Sequence, residues 1–117
     1  MPRGLFTYGG DDLFDLGPVE VRHGITYKAA FLHAPPSVPD FYNQCFSEFA
    51  GSEFVVDGAR RLTYRDVQRR SDALGAALQS DFGVKKGDRV AIAMANSAEW
   101  IIGFIAATAI GTQHCAA

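Results

Sequence analysis

The chain has 117 residues, of which 48% are hydrophobic, 12% aromatic and 21% charged. This composition excludes an intrinsically disordered chain, which would be poor in apolar residues, and the length favours a single domain. The formal net charge of −2 excludes a strong overall field that would recruit nucleic acid or an anionic membrane. We therefore expect no nucleic-acid partner.

Cysteine usage and the apolar segments bear on the compartment. Cys45 and Cys115 have neither metal-ligand spacing nor the density of a disulfide framework, so we predict reduced thiols. The N-terminus lacks the apolar core of a secretory signal. The longest apolar stretch, residues 100–111, is shorter than the roughly 20 residues of a membrane span. We expect a cytoplasmic protein without a transmembrane segment.

Residues 1–36 are the least regular part of the sequence and are predicted to form an irregular N-terminal arm. The proline pair at 35–36 interrupts regular structure. Residues 19–22 alternate like a short strand, and the period of two continues to Tyr27. We expect this arm to pack onto another part of the protein.

A first helix is predicted from about Val38 to Ala50. Ser37 is placed to cap its N-terminus, Asp40 puts an anion in its first turn, and Gly51 stops it. The apolar side chains that recur at helical spacing belong to Val38, Phe41, Tyr42, Cys45, Phe46 and Phe49. They predict one buried stripe along the helix.

A hairpin and a second helix follow. Residues 53–56 and 60–62 are predicted strands, joined by a tight turn at Asp57–Gly58. Thr63 then caps a helix that carries an acid, Asp66, at its third position. The predicted buried stripe of this helix consists of Tyr64, Val67, Ser71, Leu74, Leu78 and Phe82. Its solvent-exposed face carries Arg65, Arg69 and Asp72. Asp66 is spaced to pair with Arg70, one turn further on.

The last third of the chain favours an α/β fold. Residues 89–95 form a nearly continuous apolar run, which is typical of a strand buried on both faces of a parallel sheet. After a cap at Ser97, helix 97–110 is apolar almost all round and must be covered on most sides. Another apolar strand is expected after Gly111, but residues 112–117 begin polar and are poor in β-branched residues. The order predicts the start of a doubly wound domain (hairpin, helix, strand, helix), incomplete by at least one strand.

No group of residues in the sequence carries chemistry by itself. The basic cluster of Arg60, Arg61, Arg65, Arg69 and Arg70 lacks stacking aromatics and a glycine-rich loop, so we interpret it as a solvated face. Lys85–Lys86 is interpreted in the same way, as the tip of a turn. The histidines lack metal-ligand spacing, and His114–Cys115 lacks an orienting carboxylate for a nucleophile pair. Neither phosphate-cradling glycine motif occurs. We predict no catalytic, cofactor-binding or metal-binding residue in this chain.

Several short motifs together carry a family resemblance. Leu62-Thr63-Tyr64 with Asp66-Val67 matches a core motif usually written L-[ST]-Y-x-E-L. The run Gly-Asp-Arg-Val-Ala-Ile at 87–92 and the Asn-x-x-Glu-Trp run at 96–100 are typical of fatty-acid and related acyl-CoA ligases. From about residue 38 to 111, the chain resembles the N-terminal part of the AMP-forming acyl-CoA synthetases, which are adenylate-forming enzymes.

This resemblance implies the reaction of a parent enzyme, and it also implies that this chain lacks the residues that catalyse it. Residues 37–117 would be the N-terminal portion of an AMP-dependent synthetase/ligase domain, truncated near Gly111. The parent enzyme would convert a fatty acid or related carboxylate, ATP and CoA into acyl-CoA, AMP and pyrophosphate, with Mg²⁺. The family's catalytic motifs lie downstream of this point, so none transfers to a residue here. We expect the chain alone to be inactive and to bind none of these cofactors.

A non-catalytic alternative remains open at this point. Helix 97–110 without a following strand would leave Trp100, Ile101, Phe104 and Ile105 uncovered. Large apolar patches mark interfaces. The chain would then be an α/β interaction module that binds a protein partner, or a second copy of itself, through this helix.

Overall fold

The structure is a computed structural model that describes residues 20–27 and 35–116, apart from the side chains at positions 20, 27 and 114–116. The chain divides into two units between Pro36 and Ser37. In the first unit, β1 (Glu20–Arg22) and β2 (Ile25–Tyr27) pair antiparallel. The turn between them has positive φ at His23 (53°) and Gly24 (76°), as two-residue hairpin turns require. The alternation predicted in the arm is therefore a hairpin, and the rest of the arm lies outside the described residues.

The second unit contains the predicted helices and strands in the predicted order. Its elements are α1 (Val38–Glu48), β3 (Glu53–Asp57), β4 (Arg60–Thr63), α2 (Tyr64–Ser80), β5 (Arg89–Ile92), α3 (Ala98–Ala109) and β6 (Gln113–Ala116). Apart from β6, which was not expected, each begins close to the predicted residue. Within the described residues, no helix combines the length and the hydropathy that crossing a membrane requires.

The helix starts are fixed by capping side chains. The Ser37 and Ser97 hydroxyls each accept an N–H group three residues on, at 3.2 Å. Thr63 and Asp66 form a capping box: the Asp66 N–H lies 3.1 Å from the Thr63 hydroxyl, and the Thr63 N–H lies 2.9 Å from the Asp66 carboxylate. The Asp66 carboxylate therefore serves this cap, with Arg69 and Arg70 acting on it only as nearby charges.

The prediction that residues 112–117 do not supply the strand expected after Gly111 is wrong. β6 pairs parallel to β5, in register from Arg89 opposite Gln113 to Ile92 opposite Ala116. The end of α3 delivers the chain to this position, because Gly111 has φ +84° and the Gln113 N–H then donates to the Asp88 carbonyl at 2.8 Å. Pairing with a neighbouring strand outweighs the weak β-propensity of residues 113–116.

The covering of β5 and α3 also differs from the prediction. In β5 only Ile92 is buried, whereas Arg89 and Ala91 are exposed, so the strand is not buried on both faces. Conversely, α3 is not left uncovered: Ile105 is 6% exposed, and the other three residues expected at its surface are half-buried. Within the core, Ala98, Ile102 and Ile105 of α3 pack with residues of the preceding elements: Phe46, Val55, Leu62 and Val67.

Helix α2 crosses α3 with small residues at the contact. Val67, Ser71 and Gly75 are buried, whereas Leu74 is 37% exposed and Phe82, beyond the end of the helix, is 75% exposed. A Cβ at Gly75 would lie only 3.3 Å from the Ile110 side chain. The predicted stripe was therefore wrong at Leu74 and Phe82, whereas Leu78 is half-buried. The close approach at Gly75 turns the neighbouring Leu74 outward.

Candidate functional site

The parallel pair β5–β6 defines the edge where a ligand site is expected. In open α/β sheets, ligands bind outside the carboxyl ends of the parallel strands. β5 ends at Ile92, and residues 93–97 lead from it into α3. The first turn of α3 and these five residues therefore form the carboxyl edge of the described sheet.

A cleft of about 230 Å³ lies beside this edge. It is lined by Val55, Val56, Asp57, Asn96, Ser97, Ala98 and Ile101. Its walls come from the end of β3 on one side and from the start of α3 on the other. Val55 and Ala98 are buried, and the polar residues of the lining are Asp57, Asn96 and Ser97.

A cluster of ionic contacts around Arg60 adjoins the cleft through the lining residue Asp57. The Arg60 guanidinium donates to the Asp57 carboxylate at 2.5 Å and to the Glu99 carboxylate at 2.9 Å, with a second, shorter contact to Glu99. The same Asp57 oxygen accepts the N–H group of Ala98 at 3.1 Å. The turn of the β3–β4 hairpin is thereby fastened to the first turn of α3.

Both carboxylates that contact Arg60 are held in their charged form. Hydrogen bonding to Arg60 lowers the pKa of Glu99 to about 2. The Ala98 N–H, followed by the Arg60 guanidinium, lowers the pKa of Asp57. The same bonds raise the pKa of Arg60. A group that shuttles protons needs a pKa near the working pH, so these carboxylates are suited to holding structure rather than to acid–base catalysis.

The start of α3 and the neighbouring Arg60 do not fit a nucleotide phosphate. A phosphate site at a helix start needs free N–H groups. At α3 the Trp100 N–H donates to the Ser97 hydroxyl and the Ala98 N–H donates to Asp57. The Arg60 guanidinium is already bound by two carboxylates. In the part of the chain that the structure describes, no three His, Cys, Asp or Glu residues come together as metal ligands.

The basic cluster is divided between ion pairs and solvent. Arg61 pairs with Glu53 at 2.7 Å, on the exposed face of the β3–β4 hairpin. Arg65, Arg69 and Arg70 are exposed on α2. At the tip of the next turn, the Lys85 N–H is bound by the Asp88 carboxylate at 2.8 Å. The structure does not gather these cations into one site.

Among the described side chains there is one thiol and one histidine. Cys45 is a free, buried thiol on α1, and burial raises its pKa. His23 lies in the β1–β2 turn, in the other unit of the chain. His33 and the side chains of His114 and Cys115 lie outside the described residues.

Sequence comparison identifies the fold around this cleft. The family model described as "AMP-binding enzyme" matches residues 41–116. The chain belongs to this family. The matched AMP-binding segment runs from α1 through β6 and therefore includes β3, Arg60 and the start of α3.

Curated relatives of this AMP-binding segment are CoA ligases. A long-chain-fatty-acid–CoA ligase of Escherichia coli O6:H1 is 38% identical over 60 residues, or 51% of this chain and 11% of that enzyme. A 4-coumarate–CoA ligase of Vanilla planifolia is 33% identical over 90 residues, or 73% of this chain and 16% of that enzyme. The chain thus spans less than a fifth of the length of these relatives.

Solved structures of adenylation enzymes share the fold. NpsA-ThdA, an artificially fused adenylation–PCP di-domain from Klebsiella oxytoca, matches with a TM-score of 0.69 at 30% identity, over 75% of this chain and 16% of that one. The anthranilate CoA ligase AuaEII, solved with anthranoyl-AMP, matches with a TM-score of 0.64 at 23% identity, over 69% of this chain and 16% of that one. The described α/β arrangement is therefore that of the N-terminal part of adenylation domains.

Proposed function

We propose that this chain supplies the opening scaffold of an ATP-dependent acyl-CoA synthetase and carries no catalytic group of its own. In this proposal, residues 37–117 belong to the synthetase domain and residues 1–36 form an arm before it. The whole enzyme converts a fatty acid or related carboxylate, ATP and CoA into acyl-CoA, AMP and pyrophosphate. It works in the cytoplasm, in fatty-acid metabolism.

This proposal rests on one observation: the residues of the motifs that resemble the family form hydrogen bonds within the fold. Thr63 and Asp66 close a helix cap, and Ser97 caps α3. Glu99 is engaged by Arg60, and the Gly87 N–H donates to the Gly111 carbonyl at 2.9 Å. The polar groups named here form hydrogen bonds within the chain that stabilise the fold. ATP, Mg²⁺ and CoA would accordingly be held by other parts of the enzyme.

The Arg60 contacts give the scaffold a specific task. They hold the hairpin turn against α3, directly beside the loop that leaves the carboxyl end of β5. Substrate-positioning elements must be held closely in place for catalysis. We propose that this clamp fixes the carboxyl edge of the sheet for substrate residues that other segments provide.

A segment swap tests the proposal. Residues of this chain replace the matched 90-residue stretch of the Vanilla planifolia 4-coumarate–CoA ligase. The swapped enzyme is assayed for the CoA thioester of 4-coumarate. A matched swap that also carries Arg60→Ala tests the clamp, and Arg65→Ala, an exposed arginine on α2 outside the described ion pairs, is the control.

The expected result is a folded enzyme that keeps the recipient's substrate, since the scaffold brings no substrate pocket. Arg60→Ala should lower kcat/KM, whereas Arg65→Ala should leave it unchanged. A swapped enzyme that unfolds cooperatively but makes no thioester would contradict the scaffold proposal. Equal activity of the Arg60→Ala and Arg65→Ala swaps would contradict the clamp.

The interaction module acting through helix 97–110 is not the better proposal. It was motivated by an uncovered apolar helix, but Ile105 is buried and Trp100, Ile101 and Phe104 are half-buried. The helix that was expected to bind a partner is instead covered by the chain's own core.

A further inference from the structure

We draw no further inference here: the strongest candidate, the exposed apolar surface that Leu74 and Phe82 form towards the end of α2, carries none, because the chain spans less than a fifth of the length of the ligases it matches and nothing in the structure shows what covers this surface.

Discussion

Gly111→Ala is the sharpest test of how the chain reaches β6. Gly111 ends α3 with a pair of reversed hydrogen bonds: its own N–H donates to the Thr108 carbonyl at 3.2 Å, and the Thr112 N–H donates to the Ala107 carbonyl at 3.2 Å. This is the Schellman arrangement, which places its glycine in the left-handed region. Gly111 has φ +84°, and the bond from Gln113 to Asp88 follows two residues later.

The effect has a backbone part and a crowding part. An L-residue in the left-handed region costs about 1–2 kcal/mol. A Cβ at Gly111 would also lie 2.9 Å from Cγ and 3.5 Å from Cβ of Lys86, close to the backbone end of that side chain, so Lys86 must shift as well. We therefore expect Gly111→Ala to lower the free energy of unfolding by at least about 1–2 kcal/mol.

Urea denaturation followed by circular dichroism measures this change, and Gly51→Ala is the matched control. Gly51 is exposed, has no strained φ, and a Cβ there meets nothing within 4 Å. It should be neutral or stabilising by about 0.4–1 kcal/mol. Hydrogen exchange at the Gln113 amide should also accelerate in Gly111→Ala. If the two variants were equally stable, with Gln113 exchange unchanged, the left-handed turn and the pairing of β6 would be refuted.

Three further predictions concern the core, the Arg60–Glu99 ion pair and the contact between α1 and α3. Val67 is 0% exposed, so Val67→Ala should cost about 2–3 kcal/mol in urea denaturation, against under about 0.5 kcal/mol for Val56→Ala at a 54% exposed site. The lowered pKa of Glu99 stabilises the fold above about pH 4.5, and this contribution is lost as pH falls towards about 2. The stability difference between the parent and Glu99→Gln should shrink over that window, and a difference that stayed constant would contradict the assignment. The Tyr42 hydroxyl lies 2.7 Å from that of Thr108, so Tyr42→Phe should cost about 0.5–1.5 kcal/mol by thermal unfolding, and no loss would argue against this bond.

The features that the sequence predicted correctly are those set by residues close together in the chain. The caps at Ser37, Thr63 and Ser97 involve partners three positions away, and their chemistry is readable from the residue types alone. The order of the elements followed from these caps and from apolar periodicity. The family resemblance is confirmed by the match over residues 41–116.

The features that the sequence did not predict are contacts between residues far apart in the chain. Arg60 and Glu99 are 39 positions apart, and Asp57 and Ala98 are 41 apart, so no local pattern links them. The Asp57–Gly58 pair signalled a turn but gave no sign that its carboxylate caps α3. β6 forms because the Gly111 turn lays the chain beside β5, whereas its own residues have weak β-propensity.

Burial was the least predictable property. The apolar run of 89–95 correctly indicated a parallel-sheet strand, but in the described structure α3 covers only one of its faces. On α2, periodicity could not decide between Leu74 and Gly75 as the inward residue, because the missing side chain of Gly75 is what permits the close approach to α3.

ATP–pyrophosphate exchange by the purified 117-residue protein tests the central claim most directly. The claim is that these residues build the scaffold of an adenylate-forming enzyme and contain no catalytic group. With a panel of fatty acids and 4-coumarate, and the Vanilla planifolia ligase as positive control, we expect no exchange above background. Carboxylate-dependent exchange that survives repurification and disappears in Arg60→Ala would contradict the claim and place catalytic groups on this chain.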